Sequence, residues 1–312
     1  MKPVFPLPLR TGDTIGIIAP AGVVDAVKLD RAVQCLHDRG FKTKTYRDVL
    51  ARRGYLAGDD AARAAEINAA FADPACGAIF PARGGYGCLR MVDQIDFHLV
   101  RANPKIFLGF SDNTVLQSAF WREAGLVTFH GPHPSDSYGR PTGPTAKTEE
   151  SLWHLLLGDP KSAEAEFKFE TCETFRPGNV EGRLVGGNLA LVCSLLGTPY
   201  EIDFENNVLL LEDTDEPPYR VDRFLAQLKL AGCLEKVAGI LLGEFTRCQN
   251  GEAAAGLTLS EVLADHLSPF AGPILAGFPA GHGEDNVTLP LGARVRLDAD
   301  RRTLTLLESP TR

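Results

Sequence analysis

Ile106-Phe107-Leu108-Gly109-Phe110-Ser111-Asp112-Asn113-Thr114 decides how this chain is read. A short apolar run feeds into a glycine and a serine, and a helix-forming stretch, Val115 to Glu123, follows directly. Strand, sharp turn and helix in that order make the pattern of a nucleophile elbow. There a serine hydroxyl stands exposed at the end of a sheet, and the first N–H groups of the helix point at what it attacks. The full G-x-S-x-G spacing is not met, because Asn113 stands at the second glycine position. A serine at such a junction is also the ordinary N-cap that accepts from a free backbone N–H. Residues elsewhere in the chain must decide between the two readings.

Upstream, Thr14 to Ile18 reads as a buried strand ending in the turn Ala19-Pro20-Ala21-Gly22. A helix with Leu29, Val33 and Leu36 on one face follows, and Gly40 lies just past its end. Phe41 to Thr45 is the next strand, and Asp59 or Asp60 caps a helix running through Ile67 to Phe71. Ala78-Ile79-Phe80 and Ile106-Phe107-Leu108 are the third and fourth strands. Short strands separated by helices imply a parallel sheet covered on both faces. Ligands of such sheets collect at the carboxyl ends of the strands, where the loops after Ile18, Phe80 and Leu108 lie.

Downstream the texture changes. Gly131 to Thr145 is rich in Pro, Gly and Ser and reads as loop or linker, with a helix near Ser151 to Leu157 after it. From Pro177 a second region has strand candidates at Val208–Leu211, Val237–Leu242, Val295–Leu297 and Thr303–Leu307. Its helix candidates are Asn188–Leu196 and Val221–Leu230. The division expected is residues 1–140 as an N-terminal domain, 141–176 as a linker and 177–312 as a second domain.

The bulk numbers narrow the function. A chain of 312 residues has room for two domains, and 44% hydrophobic with 23% charged residues is the composition of an ordinary globular protein. A net charge of −8 without a Lys/Arg block argues against a nucleic-acid partner. The seven cysteines (35, 76, 88, 172, 193, 233 and 248) form no C-x-x-C pair, which argues against a disulfide framework and a zinc knuckle. Met1 to Arg10 carries three prolines and no apolar h-region, and no stretch approaches the ~20 apolar residues of a membrane span. A cytoplasmic chain with no membrane partner is expected.

Four further stretches carry possible chemistry. Val208–Leu211 runs into Glu212-Asp213-Thr214-Asp215-Glu216-Pro217-Pro218, which sets a carboxylate at the rim of a cleft or else forms a solvated acidic loop. It lacks the spacing of a calcium loop. His282 stands between Gly281 and Gly283, with no bulky neighbour to pack against. Arg83-Gly84-Gly85-Tyr86-Gly87 lets backbone N–H groups approach a ligand, as a phosphate cradle, an oxyanion-hole donor or a plain tight turn. Gly186-Gly187-Asn188-Leu189 opens a helix in the second region and can touch ligand or merely cap. His130 and His133 suggest a metal pair, but no third ligand is near in sequence and a turn explains them as well. Ser111, Glu212 and His282 supply nucleophile, orienting acid and general base, in the order Ser…Glu…His; geometry, not order, defines such a triad.

Taken together, these motifs resemble the LD-carboxypeptidases, the murein tetrapeptide carboxypeptidase family of serine peptidases that also includes the microcin-immunity peptidases. The matching stretches are Ala82–Gly87, Gly109–Asp112, His130–Pro132, Gly186–Leu189, Leu211–Asp213 with Glu216–Arg220, and Gly281–Gly283, in the family's order from about residue 12 to 300. The resemblance implies an α/β protein: a Rossmann-like N-terminal domain with a parallel sheet, and a mixed α/β C-terminal domain with a β-barrel-like sheet. It implies Ser111 as nucleophile, Glu212 as acid, His282 as base, and the N–H groups of Gly85 and Asp112 as the oxyanion hole. Candidate substrate contacts are Arg83, Gly84, Asn188 and Arg220, with Arg83, Arg220 or backbone N–H groups alone taking the terminal carboxylate. A homodimer acting on a small murein peptide, without metal or organic cofactor, is expected. Phe110 stands where many relatives have Tyr. The alternatives are immunity-type hydrolysis of a peptidyl-nucleotide and a non-catalytic binding module on the same fold. The first of these needs an aromatic surface, whereas Trp121 and Trp153 read as core residues of helices.

Overall fold

A computed structural model describes residues 2–158, 160–249 and 256–312. Among these the chain forms fourteen strands. They are β1 (Thr14–Ile18), β2 (Lys42–Thr45), β3 (Cys76–Pro81), β4 (Ile106–Gly109), β5 (Thr128–His130), β6 (Glu166–Lys168), β7 (Glu173–Arg176), β8 (Asn179–Asn188), β9 (Val208–Thr214), β10 (Gly239–Thr246), β11 (Ile274–Ala276), β12 (Leu289–Leu291), β13 (Arg294–Asp298) and β14 (Thr303–Leu306).

The first sheet has the order β12-β5-β4-β3-β1-β2. β2, β1, β3, β4 and β5 run parallel, and β12 adds antiparallel to β5 with Leu289 opposite His130. The order 2-1-3-4-5 is that of a doubly wound sheet whose direction of winding reverses between β1 and β3, the position where such sheets bind ligands. Burial follows sequence: Ile106-Phe107-Leu108-Gly109 is buried throughout, as a central parallel strand requires, while the largely exposed Lys42-Thr43-Lys44-Thr45 occupies the edge, where its lysines discourage further pairing. The helix after the elbow covers Thr114–Ala119, continues as a wider π turn over Phe120–Ala124, and stops at Gly125 with φ +69°.

The second sheet has the order β6-β14-β13-β8-β9-β10-β11-β7. β8, β9, β10 and β11 are parallel, and antiparallel pairs flank them on both sides. The sheet is open: no ladder joins β6 to β7 among the described residues, which corrects the barrel-like expectation. It curls nonetheless. β6 and β7 sit at opposite edges of eight strands, yet Phe169 to Cys172 is all that separates them in sequence. A link of that length spans at most roughly 17 Å, whereas eight flat strands at ~4.8 Å spacing span roughly 34 Å. Bending brings the two edges near each other without the hydrogen bonds of closure.

The two sheets share one buried core, in which Ile15, Phe80 and Leu108 of the first join Leu210, Leu241 and Leu297 of the second. Residues 141–176, where the sequence suggests a linker, hold the helix Ala146–Leu156 together with β6 and β7. No helix among the described residues is long and apolar enough to cross a membrane.

The Pro/Gly/Ser-rich run after β5 is packed rather than solvated, with Gly131 to Gly139 buried apart from the half-buried Asp136. The Ser135 N–H donates to the Ala82 carbonyl, Arg31 donates to the Gly139 carbonyl, and Trp153 Nε1 donates to the Tyr138 hydroxyl. At Gly139 the loop presses on the first helix so closely that a Cβ would collide with the Ser135 and Lys28 carbonyl oxygens. Backbone atoms on both sides cannot yield independently. Gly139→Ala is therefore expected to lower stability by about 1–3 kcal/mol, read as a lower urea midpoint at unchanged m-value.

Candidate active site

At the carboxyl end of β4 the chain turns through Ser111, which has φ +59°. A positive φ in a non-glycine residue costs about 1–3 kcal/mol and persists where surrounding structure enforces it. Here His133 does so. Its Nε2 accepts from the Phe110 N–H at 3.3 Å and from the Asn113 side-chain amide at 2.9 Å, which puts the ring proton on Nδ1, 3.7 Å from Asp136. Asn113 thus has a reason to stand where the elbow pattern has glycine: its amide clamps the turn.

The glycine loop after β3 lies directly against this serine. A Cβ on Gly84 would fall 3.0 Å from Ser111 Cβ and 3.1 Å from its Oγ, so any larger residue would push against the serine. Gly85, at φ +117°, stacks on Gly22, whose N–H donates to the Gly84 carbonyl. The Asp112 carboxylate accepts from the Cys88 N–H at 2.8 Å and from Gly87, tying this loop to the elbow. Burial raises the Asp112 carboxyl above its usual range, although those N–H groups and nearby Arg63 oppose the shift.

β9 delivers Glu212 to the same place, opposite Asn188 of β8. Glu212 Oε2 accepts from His282 Nδ1 at 2.7 Å, with the carboxylate fully buried and the imidazole 17% exposed. Glycine is required beside the histidine, because Gly281 has φ +125° and a Cβ there would lie 2.6 Å from Glu212 Oε2. Burial alone would lower the His282 pKa, but the hydrogen bond and charge of Glu212, with Asp213 behind, outweigh it and raise it. Phe110 is the common neighbour: its ring centroid lies 4.8 Å from His282 and 4.4 Å from His133. Among the described residues no hydrogen bond joins Ser111 Oγ to His282.

Other residues singled out in the sequence are committed elsewhere. Asn188 donates to Asp213 at 2.8 Å, caps the helix Leu189–Ser194, and through its N–H meets Thr114 Oγ1 of the elbow helix. Arg83 donates to the Val23 carbonyl, and Arg220 pairs with Glu216 at 2.6 Å. A cavity of about 420 Å³ opens beside His282 and Phe110, and its charged lining is Lys28, Asp136, Arg140, Arg247 and Glu284. None of Arg83, Gly84, Asn188 and Arg220 lines it. Lys28, Arg140 and Arg247 gave no signal in sequence, because cations on a helix face or in a polar loop are ordinary solvated residues. No three His, Cys, Asp or Glu residues converge as a metal site among the described residues. His133 has both ring nitrogens engaged by protein groups.

His130 differs from both neighbouring histidines. It is fully buried, neither ring nitrogen has a hydrogen-bond partner, and burial holds its pKa down to about 4 against the pull of Glu212. A depressed histidine contributes stability that is complete above the unfolded value near 6.5 and is lost as pH falls through 4. Acidification across that window should remove on the order of 3 kcal/mol at this site. His130→Phe should abolish that part of the pH slope, as measured by urea unfolding at pH 7, 5.5 and 4.

The whole chain has close relatives. It is 39% identical over 317 residues to the probable murein peptide carboxypeptidase of Bacillus subtilis, covering 98% of this chain and 97% of that one. It is 31% identical over 290 residues to the murein tetrapeptide carboxypeptidase of Pseudomonas aeruginosa, covering 92% and 94%. Among solved structures, the muramoyltetrapeptide carboxypeptidase of Oxalobacter formigenes superposes with TM-score 0.85 at 32% identity over 96% of this chain and 100% of that one. MccF in complex with glutamyl sulfamoyl guanosine superposes with TM-score 0.91 at 26% identity over 99% and 100%. The profiles of the LD-carboxypeptidase N-terminal and C-terminal domains match residues 15–131 and 181–297, and the chain belongs to the LD-carboxypeptidase family.

Proposed function

We propose that this protein is a serine carboxypeptidase that releases the terminal D-Ala from L-Ala-γ-D-Glu-diaminopimelate-D-Ala, in the recycling of murein peptides. The observation that carries the reading is the 2.7 Å Glu212–His282 pair held beside a serine of positive φ, with a glycine loop packed on its hydroxyl. Relatives named murein peptide and murein tetrapeptide carboxypeptidases support the substrate class. By resemblance the enzyme is read as a cytoplasmic homodimer.

With substrate bound, Ser111 Oγ and His282 Nε2 come within hydrogen-bond reach and form one proton path. Nε2 of His282 takes the proton as Ser111 Oγ attacks the carbonyl of the L-configured centre, and the N–H groups of Gly85 and Asp112 receive the oxyanion. Glu212 keeps the Nδ1–H tautomer and stabilises the imidazolium that forms. D-Ala leaves with the proton from His282, and water resolves the acyl-enzyme by the reverse path. MccF-like handling of a nucleotide conjugate is the weaker reading. Among the described residues Phe110 is the aromatic ring besides imidazole that lines the cavity, while Trp153 stacks on Phe41 and Trp121 packs beneath Arg183.

Ser111→Ala should lower kcat by about 10⁴–10⁶. Mass spectrometry of D-Ala release, wild type beside variant, checks it. Retained release in the variant overturns the nucleophile, and no release by wild type overturns the substrate. The acid limb of kcat/KM should lie above the ordinary histidine value, since only neutral His282 accepts the proton and Glu212 raises it. Glu212→Gln should move that limb to lower pH and reduce kcat, on the order of 10²–10⁴; a limb that stays in place would exclude His282 as the base.

A further inference from the structure

We propose that Arg140, with Lys28 beside it, holds the terminal carboxylate of the departing D-amino acid. The assignment rests on the carboxypeptidase reading above and supplies the specificity element that reading lacks. A carboxypeptidase is distinguished from an endopeptidase by a group that requires a free carboxylate, and the covalent geometry of the leaving group limits where that group can stand. In an α-amino acid the carboxylate carbon is two bonds from the nitrogen, so its oxygens lie within about 4 Å of the atom that must be protonated. That nitrogen must come within roughly 3 Å of His282 Nε2. The receptor for the carboxylate therefore belongs to the wall of the space that His282 itself borders.

The cavity beside His282 has three cations on its wall, Lys28, Arg140 and Arg247. Arg247 is already bound to both carboxylate oxygens of Asp215, at 2.6 and 2.7 Å, and to Thr214. Of the two arginines suggested by sequence, Arg220 is paired with Glu216, and Arg83, whose Nη1 donates to the Val23 carbonyl, does not line this space. Neither the Lys28 ammonium nor the Arg140 guanidinium makes a side-chain hydrogen bond or an ion pair within 4 Å among the described residues. Of the cavity's two carboxylates, Asp136 is turned to His133 at 3.7 Å, and Glu284 belongs to the loop that carries His282. A substrate carboxylate would meet the uncommitted Arg140 guanidinium, with Lys28, whose charge also acts on Asp136, beside it.

The backbone explains why these two stand together. Gly139 presses against the carbonyl of Lys28, and the Arg140 N–H is held by the Ser137 carbonyl, so the first helix and the buried loop present neighbouring residues to one space. Arg140 offers a planar fork that matches a carboxylate bidentately, and Lys28 a point charge at its side.

The test compares the tetrapeptide with its C-terminal D-Ala-amide, which keeps the scissile bond and removes the charge. Wild type, Arg140→Ala, Arg140→Lys and the double variant Arg140→Ala/Lys28→Met are assayed on both. The quantity read is the ratio of kcat/KM for acid over amide, and unfolding midpoints confirm the fold. Wild type should prefer the acid by about 10²-fold or more, as expected for charged hydrogen bonds. The ratio should fall at least tenfold in Arg140→Ala, approach one in the double variant, and be partly kept in Arg140→Lys. A ratio near one in wild type, or an unchanged ratio in the double variant, overturns the assignment, including when both rates fall together. Wild type that cleaves neither peptide overturns the murein-tetrapeptide substrate on which the assignment rests, and is recognised by that result.

Discussion

The hydrogen bond from His282 to the buried Glu212 carboxylate is the constraint around which the rest of the site is arranged. A carboxylate without solvent is tolerated where its charge is met by good donors. One oxygen has His282, and the other has no protein partner. Holding such a group requires walls close on every side. β9 provides one wall with Val208 to Leu211 fully buried, and Gly243 and Gly281 supply others, each so near that a Cβ would run into the Glu212 side chain at 3.0 and 2.6 Å. Gly243 of β10 and Gly281 beside His282 together form the sleeve of this acid.

The opposite half of the site is built by the same device. Gly84 against Ser111 and Gly85 against Gly22 bring three loops of the first sheet into close contact, and Gly187 does the same between the sheets by resting on the Thr114 side chain of the elbow helix. Close backbone approach leaves little slack, so the positive φ of Ser111 is fixed by packing and by the clamp of His133 and Asn113. The strain sits where the proposed chemistry needs an exposed hydroxyl. The fold holds it there because β1, β3 and β4 run parallel, so the winding reversal between β1 and β3 and the carboxyl end of β4 lie at the same end of the sheet.

Much of this was legible in sequence, and what was hidden has physical causes. β1, β3, β4 and β9 are runs of aliphatic and aromatic residues buried on both faces, the strongest strand signal a sequence carries. β5 and β12 are three residues each, too short for any period to declare itself, and β12 joins the first sheet from 159 residues further along the chain than His130, its partner at Leu289. β6 and β7 alternate exposed and covered residues but sit at edges whose approach to each other depends on the curl of the whole sheet. The loop from Gly131 to Gly139 misleads because its composition is polar while its backbone groups are satisfied by the first sheet and first helix. Glu212, His282 and Ser111 announced themselves by unusual neighbours. Lys28 and Arg140 have no unusual neighbours and acquire meaning when the fold sets them on one cavity wall.

Three histidines surround Phe110, and the fold gives each a different electrostatic fate from the same side chain. Burial disfavours the imidazolium at all three. His130 has no hydrogen-bond partner, and the pull of Glu212 is too weak to keep burial from driving it down. His133 has Asp136, too distant at 3.7 Å to reverse the direction, and stays lowered as an acceptor for the elbow. His282 alone has a carboxylate at 2.7 Å, and alone is raised. Phe110 separates them with a ring that is itself 7% exposed and brings no hydroxyl to satisfy. A tyrosine at this position would add a donor among three rings and couple their protonation. The phenyl ring adds no polar group, and at His282 the hydrogen bond and charge of Glu212 prevail over burial.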